Sequence, residues 1–195
     1  MRLAQESRAT VELAHFARAC IRAGLGGASP VPPDDARYDA PGASFVTLHW
    51  PDGALQGCIG SLAPRRSLAA DVAGNAMAAA FDDPRGRSLR LPDVAELEVE
   101  VSVLSPLEPI EYDGTERGAL AALRPGVDGV VLTAGSRHGT FLPQMWEPLP
   151  TPERFLAALK VKAGLPTEGW PPGAKLERYT VAHAVDPSRA EGARD

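Results

Sequence analysis

Cys58 lies between two glycines in the stretch ALQGCIGSL, residues 54–62. A cysteine in such a place can react, bind or simply fill a small space. A reactive thiolate needs a cation, a base or a helix N-terminus nearby, and access for a substrate. Arg65 and Arg66 follow closely, and a helix is expected to begin just beyond them. Gly57 and Gly60 let backbone approach a ligand, and glycines inside a strand often mark bulges that re-aim side chains. The same residues also fit a packing role, because cysteine is a small hydrophobe and flanking glycines admit a close-packed helix.

A nucleophile needs a partner that moves protons. His138, in the glycine-rimmed stretch SRHGT, is the first candidate, and it is expected in a tight turn. His49 sits on the neighbouring arm of the expected hairpin, His183 near the last strand and His15 on the first helix. Glu98 and Glu100 alternate with apolar residues on one strand and could serve as a base or simply form a solvated sheet face. Asp82, Asp83 and Arg85 follow a helix and could form a turn-stabilising ion pair. Arg85 is also the candidate to hold an anionic substrate. The candidate catalytic set is therefore Cys58, His138, Glu98 and Glu100. The candidate binding set is Gln56, Gly57, Ile59, Gly60 and Arg85.

Several elements must position these groups. Apolar residues recur at helical spacing through Val11, Ala14, Ala17 and Ile21, with Cys20 among them as a small core residue, and Gly24, Gly26 and Gly27 end the run. Residues 28–43 are rich in proline and short polar residues and read as a long loop. A hairpin follows, with arms at 45–50 and 54–62 around Pro51-Asp52-Gly53. Ser67 is the expected cap of a helix ending at Phe81. The segment ELEVEVSVL alternates as a half-buried strand should. Asp113 with Glu116 marks another helix start, and residues 128–146 read as a second hairpin turning near 135–139. Thr151-Pro152 opens a helix that Gly164 stops, and one last strand is expected within 173–185. Hairpins outnumber βαβ patterns, which gives an α+β class with a mainly antiparallel sheet.

Composition excludes more than it selects. The chain has 195 residues and a formal net charge of −5, which disfavours a general nucleic-acid binder, since those carry a basic face. The two cysteines and four histidines show no zinc-ligand spacing and no disulfide framework. No apolar run reaches membrane-spanning length, so a cytoplasmic, membrane-free protein is expected.

Four stretches in order, GASFVTLHWPDGALQGCIGSL, NAMAAAFDDPRGRSL, ELEVEVSVLSPLEPI and GVVLTAGSRHGTFLPQMWEPLPTPERFLAALKVKAGLP, resemble the AMME-syndrome candidate-region domain family. Its prokaryotic members include the A component of the AmmeMemoRadiSam system. LQGCIG matches the family's hallmark. Gln56 stands where the family usually has arginine, and Gly86 stands where an aromatic usually follows D-P-R. The resemblance implies an α+β fold, with a mainly antiparallel sheet flanked by helices and a smaller α/β subdomain. It implies one domain over residues 1–185, with a cleft between two subdomains; the tail over 186–195, which has no apolar content beyond alanine, is expected to be disordered. It also implies Memo-like and radical-SAM proteins as partners, and fixes neither an activity nor a cofactor. Two readings follow. One is an enzyme acting on a small molecule or modified group, with Cys58 in its cleft. The other is a non-catalytic adaptor that uses the Gln56–Gly60 region as a recognition surface.

Overall fold

The computed structural model describes residues 2–186, with side chains from Thr10 onward. The chain divides into two compact units. The first runs Met1–Leu104 and is rejoined by the chain from Ala182, and the second is Ser105–Val181.

In the first unit, helix α1 (Arg2–Gly24) is followed by a loop holding a short 3-10 turn at Ala36–Tyr38. Strand β1 (Pro41–Gly42) precedes β2 (Ser44–His49) and β3 (Leu55–Gly60). Strand β4 (Arg66–Ser67) pairs with β1 and leads into α2 (Leu68–Phe81). Ser67 caps α2 as expected, its side chain accepting from the Ala70 amide. A single turn α3 (Asp93–Glu96) then leads to β5 (Glu98–Leu104).

The second unit contains β6 (Glu108–Pro109), α4 (Glu116–Ala122), β7 (Gly129–Ala134), β8 (Arg137–Phe141), α5 (Pro152–Lys162) and β9 (Lys175–Tyr179). Strand β10 (Val181–Val185) returns to the first sheet. The strand orders are β10-β5-β2-β3 and β6-β9-β7-β8. The fold is α+β, as expected. No helix among the described residues is long and apolar enough to cross a membrane.

Alternation builds the first sheet. Val46, Leu48, Val99 and Val101 are fully buried and pack with Leu13, Ala17 and Ile21 of α1 and Val72, Ala76 and Ala79 of α2. Helix α1 lies along β5, and α2 lies over β2 and β3. Residues of the opposite parity, Phe45, Thr47, His49, Glu98 and Glu100, therefore occupy the other face and are half-buried. In the second unit, Val130, Leu132 and Leu176 bury against Phe155, Leu156 and Leu159 of α5, with Trp146 stacked on Phe155 at 3.8 Å. Lys160 is buried there without strain, because its ammonium donates to Glu116 Oε1 and to the Thr167 and Gly169 carbonyls.

Several local expectations change. The last expected strand is two strands in different sheets, broken at Thr180. Helix α4 is capped by Thr115, which accepts from the Gly118 amide, while Asp113 accepts from Thr115 one step earlier. His138 is not in a turn. It lies on β8 opposite Thr133, because the chain has already reversed at Gly135. Asp186 belongs to the fold: it is buried, its amide donates to Val99 O, and its carboxylate faces Arg18 and His15. Residues 187–195, the rest of the expected tail, lie outside the described residues. Cys20 is buried as expected, and burial pushes its thiol up to about 11.

Candidate functional site

The turn at Pro51-Asp52-Gly53 sets the geometry of the β2–β3 hairpin. Trp50 N donates to Ala54 O, and His49 lies opposite Leu55. A regular ladder from that turn would place Gly57 opposite Thr47 and Cys58 opposite Val46, on the helix-covered face. The ladder is not regular. Leu48 pairs with Gly57 and His49 with Leu55, so Gln56 is an extra residue in β3. This one-residue shift exchanges the faces of everything beyond it. Cys58 thus comes opposite Thr47 on the open face, half-buried, and Thr47 Oγ1 donates to its sulfur at 3.3 Å.

The bulge is held from both sides. The Gln56 side chain is fully buried and its amide is fully used. It donates to Ala80 O and Arg87 O, and accepts from Trp50 Nε1 at 2.9 Å and Arg87 N at 3.1 Å. Gly57 faces α2 so closely that a Cβ would lie 2.0 Å from Ala79 O. At Gly86 a Cβ would meet the Gln56 carbonyl at 2.5 Å. Gln56 and Gly86, the two departures noted in the sequence, are therefore in contact. Phe45, opposite Gly60, lays its ring where a Gly60 side chain would stand. Ile59 points back to the core of this unit and packs against it.

Strand β3 is an edge strand, and the loop after α2 closes part of that edge. Asp83 Oδ2 accepts from the Cys58 amide at 3.0 Å and from Arg85 Nη2 at 2.6 Å. Oδ1 accepts from Arg85 N and Nε. The Arg85 guanidinium bonded to Asp83 holds the Asp83 carboxyl far below the usual carboxylate range, aided by the Cys58 and Arg85 amides and opposed by burial. The expected ion pair after α2 is thus Asp83–Arg85, and it is attached directly to the cysteine strand.

Glu100 completes a row across the sheet: Cys58 pairs with Thr47, and Thr47 with Glu100. Two strand spacings separate Cys58 from Glu100, about 9–10 Å. Ser102 donates to Glu100 Oε1 at 3.2 Å. Glu98 lies opposite His49 in the adjacent row. The first unit therefore brings together Cys58, Thr47, Glu98, Glu100 and the Asp83–Arg85 pair. His138 belongs to the second unit. No group of three or more His, Cys, Asp or Glu side chains suited to a metal ion occurs among the described residues.

Thr47 and Asp71 are the contributors that sequence reasoning missed. Asp71, buried at the start of α2, accepts from Ser44 N and Oγ, Ser61 Oγ, Asn75 Nδ2 and Arg66 Nε. It thereby fixes the start of β2 and the end of β3 to one carboxylate. Three arginines of this unit are paired, Arg66, Arg85 and Arg90 with Asp71, Asp83 and Asp93. Arg87 lies over the Trp50 ring at 5.0 Å.

Comparison with known proteins agrees with this architecture. A Thermotoga maritima protein is 37% identical over 139 residues, covering 71% of this chain and 74% of its own length. A Thermococcus gammatolerans protein is 40% identical over 147 residues, covering 70% and 69%. The crystal structure of the uncharacterized protein PH0010 from Pyrococcus horikoshii superposes with a TM-score of 0.77 at 33% identity, covering 88% of each chain. Residues 14–184 match the AMMECR1 family, and the chain belongs to it.

Proposed function

We propose that the chain is an enzyme acting on a small molecule or a modified group, with Cys58 as nucleophile or thiolate ligand on the open face of the first unit's sheet. The observation that carries this reading is the Gln56 bulge. It spends a fully bonded buried side chain to bring a thiol out of the core and beneath the Thr47 hydroxyl. A cysteine needed only for packing has no use for such a device. In this reading Glu100, with Glu98 beside it, moves protons for a substrate lying across Thr47. Arg85 holds an anionic group of that substrate. Ile59 and Gly60 shape the strand beneath it, and Gln56 and Gly57 act by fixing the strand. The resemblance to the AmmeMemoRadiSam A component supports a cytoplasmic pathway shared with Memo-like and radical-SAM proteins.

An adaptor reading draws on one observation, that β3 is the edge of its sheet and could present residues 56–60 to a partner. The Asp83 carboxylate already takes the outward Cys58 amide, which shortens the edge open to strand addition.

A deletion strain complemented with Cys58→Ser and Cys58→Ala separates the readings. The enzyme reading expects both variants to accumulate normally and to fail to restore the phenotype. Full restoration by either one overturns it in favour of the adaptor.

A further inference from the structure

We infer that Asp83 is a positioning residue that presents one open edge of the Arg85 guanidinium beside Cys58, so that the site takes small electrophiles bearing a carboxylate or phosphate. This rests on the enzyme reading and names its substrate class. A guanidinium carries five N–H donors in a planar fork. Asp83 engages the edge formed by Nε and Nη2, which leaves both Nη1 donors and one Nη2 donor without a partner among the described residues. That remaining edge has the geometry that binds a second oxyanion bidentately. The side chain is 58% exposed while the Asp83 side chain is 1% exposed, so the carboxylate is sealed inside and the cation faces out.

The pair is not needed merely to close the turn. Asp83 already collects the Arg85 amide at 3.0 Å and the Cys58 amide at 3.0 Å. The guanidinium folds back onto a carboxylate that is otherwise satisfied. Because Cys58 N and Arg85 Nη2 meet at the same oxygen, Oδ2, the open edge is tied to the strand that carries the sulfur. An anion seated on that edge is held by the same Asp83–Arg85 segment that grips the Cys58 amide. Two other features carry less. The roughly 550 Å³ groove beside Tyr112 and Lys175 in the second unit offers no buried polar group aimed at a ligand, and the His15–Asp186–Arg18 cluster is internally satisfied.

The test compares iodoacetate with its neutral isostere iodoacetamide on Cys20→Ala protein. Each reaction forms the S–C bond while iodide leaves with its electron pair. The expected result is an iodoacetate-to-iodoacetamide rate ratio at least about tenfold above that of an unstructured cysteine peptide, the factor one charge-assisted hydrogen bond supplies. Arg85→Gln should return the ratio to the peptide value. Asp83→Asn should lower it with Arg85 still present. A ratio equal to the peptide's, or unchanged in Arg85→Gln, overturns the inference. If iodoacetamide fails to react in the folded protein, the enzyme reading fails, and the anion site is then decided separately. In that arm the Cys58 amide NMR signal is titrated with inorganic phosphate and with acetate. A saturable shift that Arg85→Gln abolishes supports the site and ranks the two oxyanions, and no shift overturns it.

Discussion

Asp83 accepts a hydrogen bond from the backbone amide of Cys58 at 3.0 Å, across 25 residues of sequence. One buried carboxylate thereby holds the cysteine strand, the turn after α2 and the Arg85 guanidinium together. Its consequence in acid is direct. The native pKa lies below the unfolded value of about 3.9. The stability Asp83 contributes is therefore fully present above that value and is lost as pH falls below it toward the native pKa. Urea midpoints measured from pH 6 to pH 2 should fall more steeply for the wild type than for Asp83→Asn. Parallel slopes would remove Asp83 from the acid response.

Gln56→Leu should destabilise the protein by about 3 kcal/mol. It leaves the Ala80 and Arg87 carbonyls and the Trp50 indole without their partner, at roughly 1–3 kcal/mol for each buried group left unsatisfied. Urea denaturation reads the change. A loss under about 0.5 kcal/mol, the range of ordinary surface substitutions, would mean that the side chain does not hold the bulge.

Gly57→Ala should cost about 3 kcal/mol or prevent folding, because the added Cβ meets Ala79 backbone 2.0 Å away, and forced overpacking costs roughly 1–3 kcal/mol or more. Gly53→Ala is the control in open space, where only the positive φ of 82° is strained. The two denaturation curves should separate clearly.

Asp71→Ala should cost about 3–5 kcal/mol, the usual cost of breaking a buried charged network. It strands Ser44, Asn75 and Arg66 at the point where β2, β3 and α2 meet. Chemical denaturation of Asp71→Ala beside Asp93→Ala, an exposed-pair control, reads the difference.

Thr47→Val keeps the shape of the side chain and removes the O–H donor to sulfur. Iodoacetamide should then alkylate Cys58 about fivefold more slowly at pH 7, the factor that about 1 kcal/mol of hydrogen bonding represents. An unchanged rate would show that the hydroxyl is a bystander.

Much of this was legible in the sequence because it is local. The Pro51-Asp52-Gly53 turn, the alternation through Val99 and Val101, and the caps at Ser67 and Thr151 each declare themselves within a few residues. The site was legible only in part. The glycines of LQGCIG signalled an irregular strand, but the place of the bulge at Gln56 and the outward turn of Cys58 depend on contacts from Ala80 and Arg87, far along the chain. Thr47 was missed for the same reason, since an unbulged count from the turn puts Gly57 opposite it. The split between β9 and β10 was hidden because LERYTVAHAV holds no glycine, proline or other turn signal between the two strands. The burial of Lys160 leaves no local mark, because its acceptors lie on α4 at Glu116 and in the loop after α5.

The account turns on whether the Gln56 bulge delivers a reactive thiol. The direct measurement is the iodoacetamide alkylation rate of Cys58 in folded Cys20→Ala protein against pH, with an unstructured cysteine peptide alongside. The account predicts alkylation in the native state, faster at pH 7 than the peptide. A thiol that reacts only after unfolding would contradict it and make Cys58 a packing residue.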